Sequence, residues 1–162
     1  SMREIAAAAG MGKSTLYDYF PTKDDILLFM VTTTSGDVTR QAQAIAALPL
    51  PPDVRLRRII AMELDYLQAN RNLLADLGSE VQSLDPAAQQ RTQELRYAYQ
   101  DTVRAVVQEG IDRGCFRPVD ALLAARLLIN SLLSVLYTSR PTGSHDEMLE
   151  QTLAIFLEGL KL

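Results

Sequence analysis

The side chains that ordinarily carry covalent or metal chemistry are scarce in this chain. It holds one histidine and one cysteine in 162 residues, with no glycine-rich phosphate loop and no paired carboxylates set for acid–base work. His145 follows Ser144 near a helix start and has no companion at metal-ligand spacing. Cys115 excludes an internal disulfide. Arg113 and Arg117 flank it, but no neighbouring histidine or lysine would depress its pKa, so it reads as a structural or bystander thiol. Catalysis, a cofactor and a metal are therefore not expected. Recognition remains, and the spacing that could support it lies in Met2–Leu27, MREIAAAAGMGKSTLYDYFPTKDDIL.

Ile5, Ala6 and Ala9 give a compact apolar face at helical spacing, small enough for a second helix to approach. Gly10-Met11-Gly12 breaks that helix, since glycine takes left-handed angles at no steric cost. Lys13-Ser14-Thr15 opens the next helix, with Leu16, Tyr19 and Phe20 along one side. Pro21 and Thr22 end it. Thr22 is placed to N-cap a third helix whose first turn holds Asp24 and Asp25. This is the arithmetic of a helix-turn-helix, with Lys13–Tyr19 as the segment that enters a DNA major groove.

The elements that must position this segment all read as helix, and no strand-like alternation is present. Leu27, Val31, Thr34, Val38, Ala42 and Ile45 carry one helix to about Leu48, weakened locally by the β-branched run Val31–Thr34 and by Gly36. Pro49, Pro51 and Pro52 stop it, and Asp53 is expected to cap a helix from Val54 to Ala69. A shorter helix follows with Leu73, Leu74, Leu77, Val81 and Leu84. Asp85 and Pro86 then start a long one that ends at Gly114. Asp120 opens a helix over Ala121–Thr138, and Leu149, Leu153, Phe156 and Leu160 stripe the last. The expected fold is all-α: a small head continuous with a bundle of about five longer helices.

Charge alone would not suggest DNA. The net charge is −4, and Arg3, Lys13 and Lys23 in the head are matched by Glu4, Asp18, Asp24 and Asp25. No signal peptide is visible. The apolar stretch Ala121–Tyr137 is too short and too interrupted by Arg126, Asn130, Ser131 and Ser134 to favour a membrane span. A reducing, cytoplasmic setting fits.

Met2–Leu27 resembles the TetR/AcrR family of transcriptional regulators through Ile5-Ala6, Ala9-Gly10, Lys13, Leu16-Tyr17, Tyr19-Phe20, Lys23 and Asp24-Asp25-Ile26-Leu27. Farther on, the punctuation Glu109-Gly110…Gly114…Pro118 before the penultimate helix agrees. The family usually places one more helix ahead of this segment, so Ile5, Ala9, Leu16 and Phe20 are expected to lack part of their packing and the head to be loosened. Gly12 stands where the family often has serine or threonine, which removes a side-chain cap.

The resemblance implies a helix-turn-helix head over 1–23 and a regulatory and dimerisation body over 24–162, with 24–48 connecting them. It implies a homodimer that holds a palindromic operator and is released by a small-molecule effector, as a repressor would be. The alternative is a helical small-molecule-binding or interaction module without DNA-binding activity.

On this resemblance Lys13, Ser14, Thr15, Tyr17, Tyr19 and Lys23 form the DNA-facing set. The lysines and Tyr17 suit phosphate, and the short hydroxyls suit base edges. Pocket candidates in the body are Met62, Glu63, Tyr66, Tyr97, Tyr99 and Asn130. Glu63 reads first as a solvated carboxylate at the rim; pointing inward, it would attract a cation. Arg126, Asn130, Ser134 and Thr138 form a polar stripe that could line the pocket, meet a second subunit or face water. The last two helices are apolar around more than one face, which a partner copy would cover. The interface candidates are Leu122, Ile129, Leu133, Leu149, Leu153, Phe156 and Leu160. Two-fold pairing would set the recognition helices one DNA turn (~34 Å) or more apart.

Overall fold

The computed structural model describes residues 1–160, with the side chains at 75–79, 136 and 145 excepted. Leu77, Leu136 and His145 thus lie outside the described side chains. Among the described residues the chain is all helix: α1 (Met2–Ala8), α2 (Lys13–Tyr19), α3 (Lys23–Ala46), α4 (Pro52–Ala69), α5 (Arg71–Val81), α6 (Pro86–Asp112), α7 (Ala121–Leu136) and α8 (His145–Leu160). None of these helices is long and apolar enough to cross a membrane.

Helix starts follow local chemistry. The Thr22 hydroxyl accepts from the Asp25 amide at 3.1 Å, while the Asp25 carboxylate accepts from the Thr22 amide at 2.9 Å. This reciprocal pair satisfies two of the donors a helix start leaves open. Asp85 and Asp120 cap α6 and α7 through the amides of Ala88 and Leu123. Asp53 does not act as a cap. Pro51 occupies the cap position and Pro52 the first turn, so α4 begins earlier than expected and Asp53 sits inside it. Proline's fixed φ favours that first position, where its missing N–H would have had no partner.

Helix α6 is the axis of the body. Its Tyr99, Val103, Val106 and Val107 pack with Ala42 of α3, Leu56–Leu64 of α4, Leu128 and Leu132 of α7 and Leu153 of α8 in the main core. Burying each large aliphatic side chain is worth about 1.5–3 kcal/mol. A second, smaller cluster forms at the other end of α3, where Leu27 and Val31 meet Leu84 and Ala88, flanked by Leu73 and Val81. Helix α3 runs unbroken between the two clusters, through both Gly36 and the β-branched run. The hydroxyls of Thr34 and Thr39 donate to carbonyls one turn back at 2.8 Å, so these threonines are satisfied within the helix.

Two clasps close the α6–α7 end of the bundle. Gly110 lets the Phe116 ring rest on the α6 backbone: a Cβ there would stand 2.1 Å from the ring. Arg55, buried on α4, donates to the Ala46 carbonyl at 2.6 Å and pairs with Glu109 at 2.6 Å, and Glu109 also holds Arg113 at 2.8 Å. The Arg55 hydrogen bond holds the Glu109 carboxyl below the usual carboxylate range. Gly110→Ala must displace the ring, and is expected to cost about 1–3 kcal/mol despite alanine's better helix propensity. Urea unfolding at unchanged m-value would show it; an unmoved midpoint would mean the ring is not seated on the glycine.

Candidate DNA-reading head and effector cavity

In the head, Gly10 has φ +64°, the left-handed turn that ends α1 and frees α2 to cross it. Leu16 and Ala6 are buried between α1 and α2, while Ala9, expected on that face, is exposed. Phe20 is half-buried, its ring 5.3 Å from that of Phe29. With Leu16 and Phe20 turned inward, the rest of α2 faces outward. Lys13, Ser14, Thr15, Tyr17, Tyr19 and the adjoining Lys23 are all exposed. Tyr19, grouped with Leu16 and Phe20 from spacing, is instead 70% exposed. The Lys13 ammonium lies 5.7 Å from the Tyr17 ring, which orients both toward the same side. Lys23 pairs with Glu80 of α5 at 3.1 Å, a contact between residues too far apart in the chain for spacing to anticipate.

The body contains a cavity of about 500 Å³ between α3, α4, α5, α6 and α7. Glu63, Tyr66 and Tyr99 line it, and Thr34, Val38 and Thr39 of α3 form one wall. Met62, Tyr97 and Asn130 do not line it. Met62 packs at the edge of the main core. Tyr97 is exposed, bonded to Gln93 and beneath Arg96; two residues are about 200° on a helix, so Tyr97 and Tyr99 cannot share a face. Asn130 is exposed and donates to the Arg126 carbonyl at 2.8 Å.

The interface set also needs correction. Leu149, Leu153 and Leu160 point into their own core, Phe156 packs against it, and Ile129 lines the cavity. Leu122 is half-buried. Leu133 is exposed, and the outward apolar face is completed by Leu123, Leu127, Tyr137 and Ile155. Apolar residues surround α7 and α8 on several sides, so spacing alone could not tell the inward side from the outward one.

Glu63 is no rim carboxylate. It is 8% exposed and accepts a 2.5 Å hydrogen bond from the Tyr99 hydroxyl. Burial pushes its pKa up to about 7, partly offset by that hydrogen bond. Burial, together with the neighbouring Glu63, also holds the Tyr99 hydroxyl far above its usual range, so it stays protonated. The Tyr66 hydroxyl oxygen is sealed from solvent and has no hydrogen-bond partner among the described residues.

The sign of the Glu63 linkage is set by its raised pKa. Between 4.5 and about 7 the folded state keeps a proton that the unfolded chain has lost. Stability therefore falls as pH rises through that window, by up to about 3 kcal/mol. Glu63→Gln should flatten this decline and be the more stable protein above neutrality. Urea midpoints across the window check it, and an unchanged slope in the variant would show that Glu63 is not the group responsible.

Comparison with known proteins agrees with this geometry. Residues 49–160 match the "Tetracyclin repressor-like, C-terminal domain", and residues 1–30 match "Bacterial regulatory proteins, tetR family". The chain is 27% identical to the HTH-type transcriptional repressor KstR2 of Rhodococcus jostii, over 99% of this chain and 80% of that protein. The crystal structure of the TetR family regulator PfmR from Thermus thermophilus superposes with a TM-score of 0.83 at 26% identity, covering 100% of this chain and 90% of the other. The structure of FadR from Bacillus subtilis in complex with stearoyl-CoA has the same fold, with a TM-score of 0.83 at 20% identity over 99% and 88% of the two chains. The superpositions cover the head and the body together, so the whole fold is shared. The chain belongs to the tetR family of bacterial regulatory proteins, helix-turn-helix regulators of transcription that bind DNA.

Proposed function

We propose that the chain is a homodimeric repressor whose hold on a palindromic operator is released when a small molecule fills the body cavity. One observation carries this. Helix α3 has Lys23 at its first position, beside the recognition helix, and lines the cavity with Thr34, Ser35, Val38 and Thr39 at its middle. A molecule that binds one position of α3 better than another necessarily biases the head. That FadR holds stearoyl-CoA supports a cavity in this fold as the effector's place. A second copy would cover the exposed Leu123, Leu127, Leu133 and Ile155 and set the two heads on successive half-sites.

The Lys23–Glu80 pair gives the coupling a local form. Glu80 precedes Val81 and Gln82, both of which line the cavity. Movement of α5 on ligand binding therefore shifts the carboxylate that shares Lys23 with operator phosphate.

Operator duplexes selected from a random pool would test the assignment. Lys13→Ala and Lys23→Ala should each weaken binding across all selected sequences and reduce the log–log salt slope by about 1. An unaltered slope would remove that lysine from the phosphate contacts, and failure to select any duplex would overturn the repressor assignment.

The α3 coupling has its own test. A Cβ at Gly36 meets nothing within 4 Å, so Gly36→Ala stiffens α3 without a clash. The variant should shift the effector concentration for half-release, and an unchanged value would count against transmission through this helix.

A further inference from the structure

The lining of the cavity specifies more than an apolar guest. Its walls are largely Val38, Leu67, Leu74, Val81, Leu95 and Ile129. Most of the polar groups along them are already occupied. Thr34, Thr39 and Thr92 donate to backbone carbonyls of their own helices at 2.8, 2.8 and 3.0 Å, and the Gln89 amide donates to the carbonyls of Gln82 and Leu84. One place is different. Glu63 and Tyr66 stand one turn apart on α4, so both face the cavity from the same side. The Glu63 carboxyl is nine-tenths buried and has Tyr99 as its single hydrogen-bond donor among the described residues. The Tyr66 hydroxyl has no hydrogen-bond partner among the described residues. A carboxyl oxygen can accept a further hydrogen bond whether or not the group is ionised, and a phenol hydroxyl can donate as well as accept.

We propose that the effector is an elongated apolar molecule bearing a hydroxyl, which donates to Glu63 and accepts from Tyr66, and an anionic group that meets Arg96 at the rim. The proposal rests on the cavity being the effector site. A hydroxyl answers both groups at once, because it is donor and acceptor together. An ammonium can donate to both groups but has no lone pair to accept from the Tyr66 hydroxyl, and it must share the cavity with the Arg96 guanidinium. Among the described lining residues Glu63 and Arg96 are the charged ones, so the cavity has no surplus of negative charge for a cation. A plain alkyl end would leave the Tyr66 hydroxyl buried and unpaired, the arrangement that proteins usually avoid.

Calorimetric titration of the full chain separates these guests. The probes are ω-hydroxy fatty acids from octanoate to dodecanoate, the same acids without the hydroxyl, and alkylamines of matching length. The hydroxy acids should bind about tenfold more tightly than the unsubstituted acids. Tyr66→Phe should erase that advantage while leaving the affinity for the unsubstituted acids unchanged. Glu63→Gln, which can still accept, should keep most of it, and Glu63→Leu should lose it. Equal affinity for both acids, no binding by any probe, or a preference for amines that Glu63→Gln abolishes would each overturn the proposal. Binding to a selected operator is measured on the same preparations. Its loss would fail the repressor assignment, whereas intact operator binding without a hydroxyl preference fails the effector class alone.

Discussion

Helix α3 is held in two places by two different sets of contacts, and the organisation of the molecule depends on that. Its C-terminal half contributes Val38 and Ala42 to the main core, where α6, α4, α7 and α8 surround it. Its N-terminal half contributes Leu27 and Val31 to the smaller cluster with Leu84 and Ala88. Between them lies the stretch that faces the cavity rather than packed side chains. A helix gains little stability from its own hydrogen bonds in water and takes its position from the face it buries. Here the buried faces are separate, so the head's placement follows from the smaller cluster, and the smaller cluster shares Val81 with the cavity wall.

The Glu63–Tyr99 pair shows what the body gives up for the sake of its cavity. Both residues lie on rows that are otherwise apolar: Glu63 is one turn from Ile59 and from Leu67, and Tyr99 one turn from Val103. Leucine at position 63 would fill the same row without the penalty of burying a carboxyl. The pair therefore marks a site, as strongly perturbed groups in a cleft often do. Arg55, also buried, makes an instructive contrast. It meets a carbonyl and a carboxylate on neighbouring helices and borders the cleft formed by Pro49–Pro52, so its burial serves to tie α3, α4 and α6 together.

How far this could be read from sequence depended on whether one helix face decided the question. The helices and most of their caps were legible because spacing, Thr22, Asp85 and Asp120 act locally. Asp53 misled because two prolines before it start the helix sooner. The exposure of Lys13, Ser14, Thr15 and Tyr17 was legible because Leu16 and the capping Phe20 account for the inward side of a seven-residue helix, although spacing also grouped the exposed Tyr19 with them. The cavity was half legible. Tyr66 and Glu63 share a face with Ile59, but nothing local distinguishes Tyr97 from Tyr99, or the rim from the interior for a carboxylate. Arg55 carried a usable signal, since it continues the Ile59–Glu63 row at four-residue spacing, whereas Arg57 and Arg58 lie off it. Which sides of α7 and α8 turn outward depends on how five helices pack together, and no single segment encodes it.

The clasp from Arg55 to the Ala46 carbonyl pins the far end of α3, and that gives the helix a mechanical character. At 1.5 Å per residue, the stretch facing the cavity lies about 10–18 Å from this fixed point, and Lys23 lies about 35 Å from it. Turned about Ala46 as a rigid rod, α3 would take its load between Thr34 and Thr39 and carry it through the smaller cluster to the recognition helix. A guest that pushes the wall outward by one ångström moves the head by roughly two to three. Such a rotation would enlarge small differences in guest size before they reach the recognition helix.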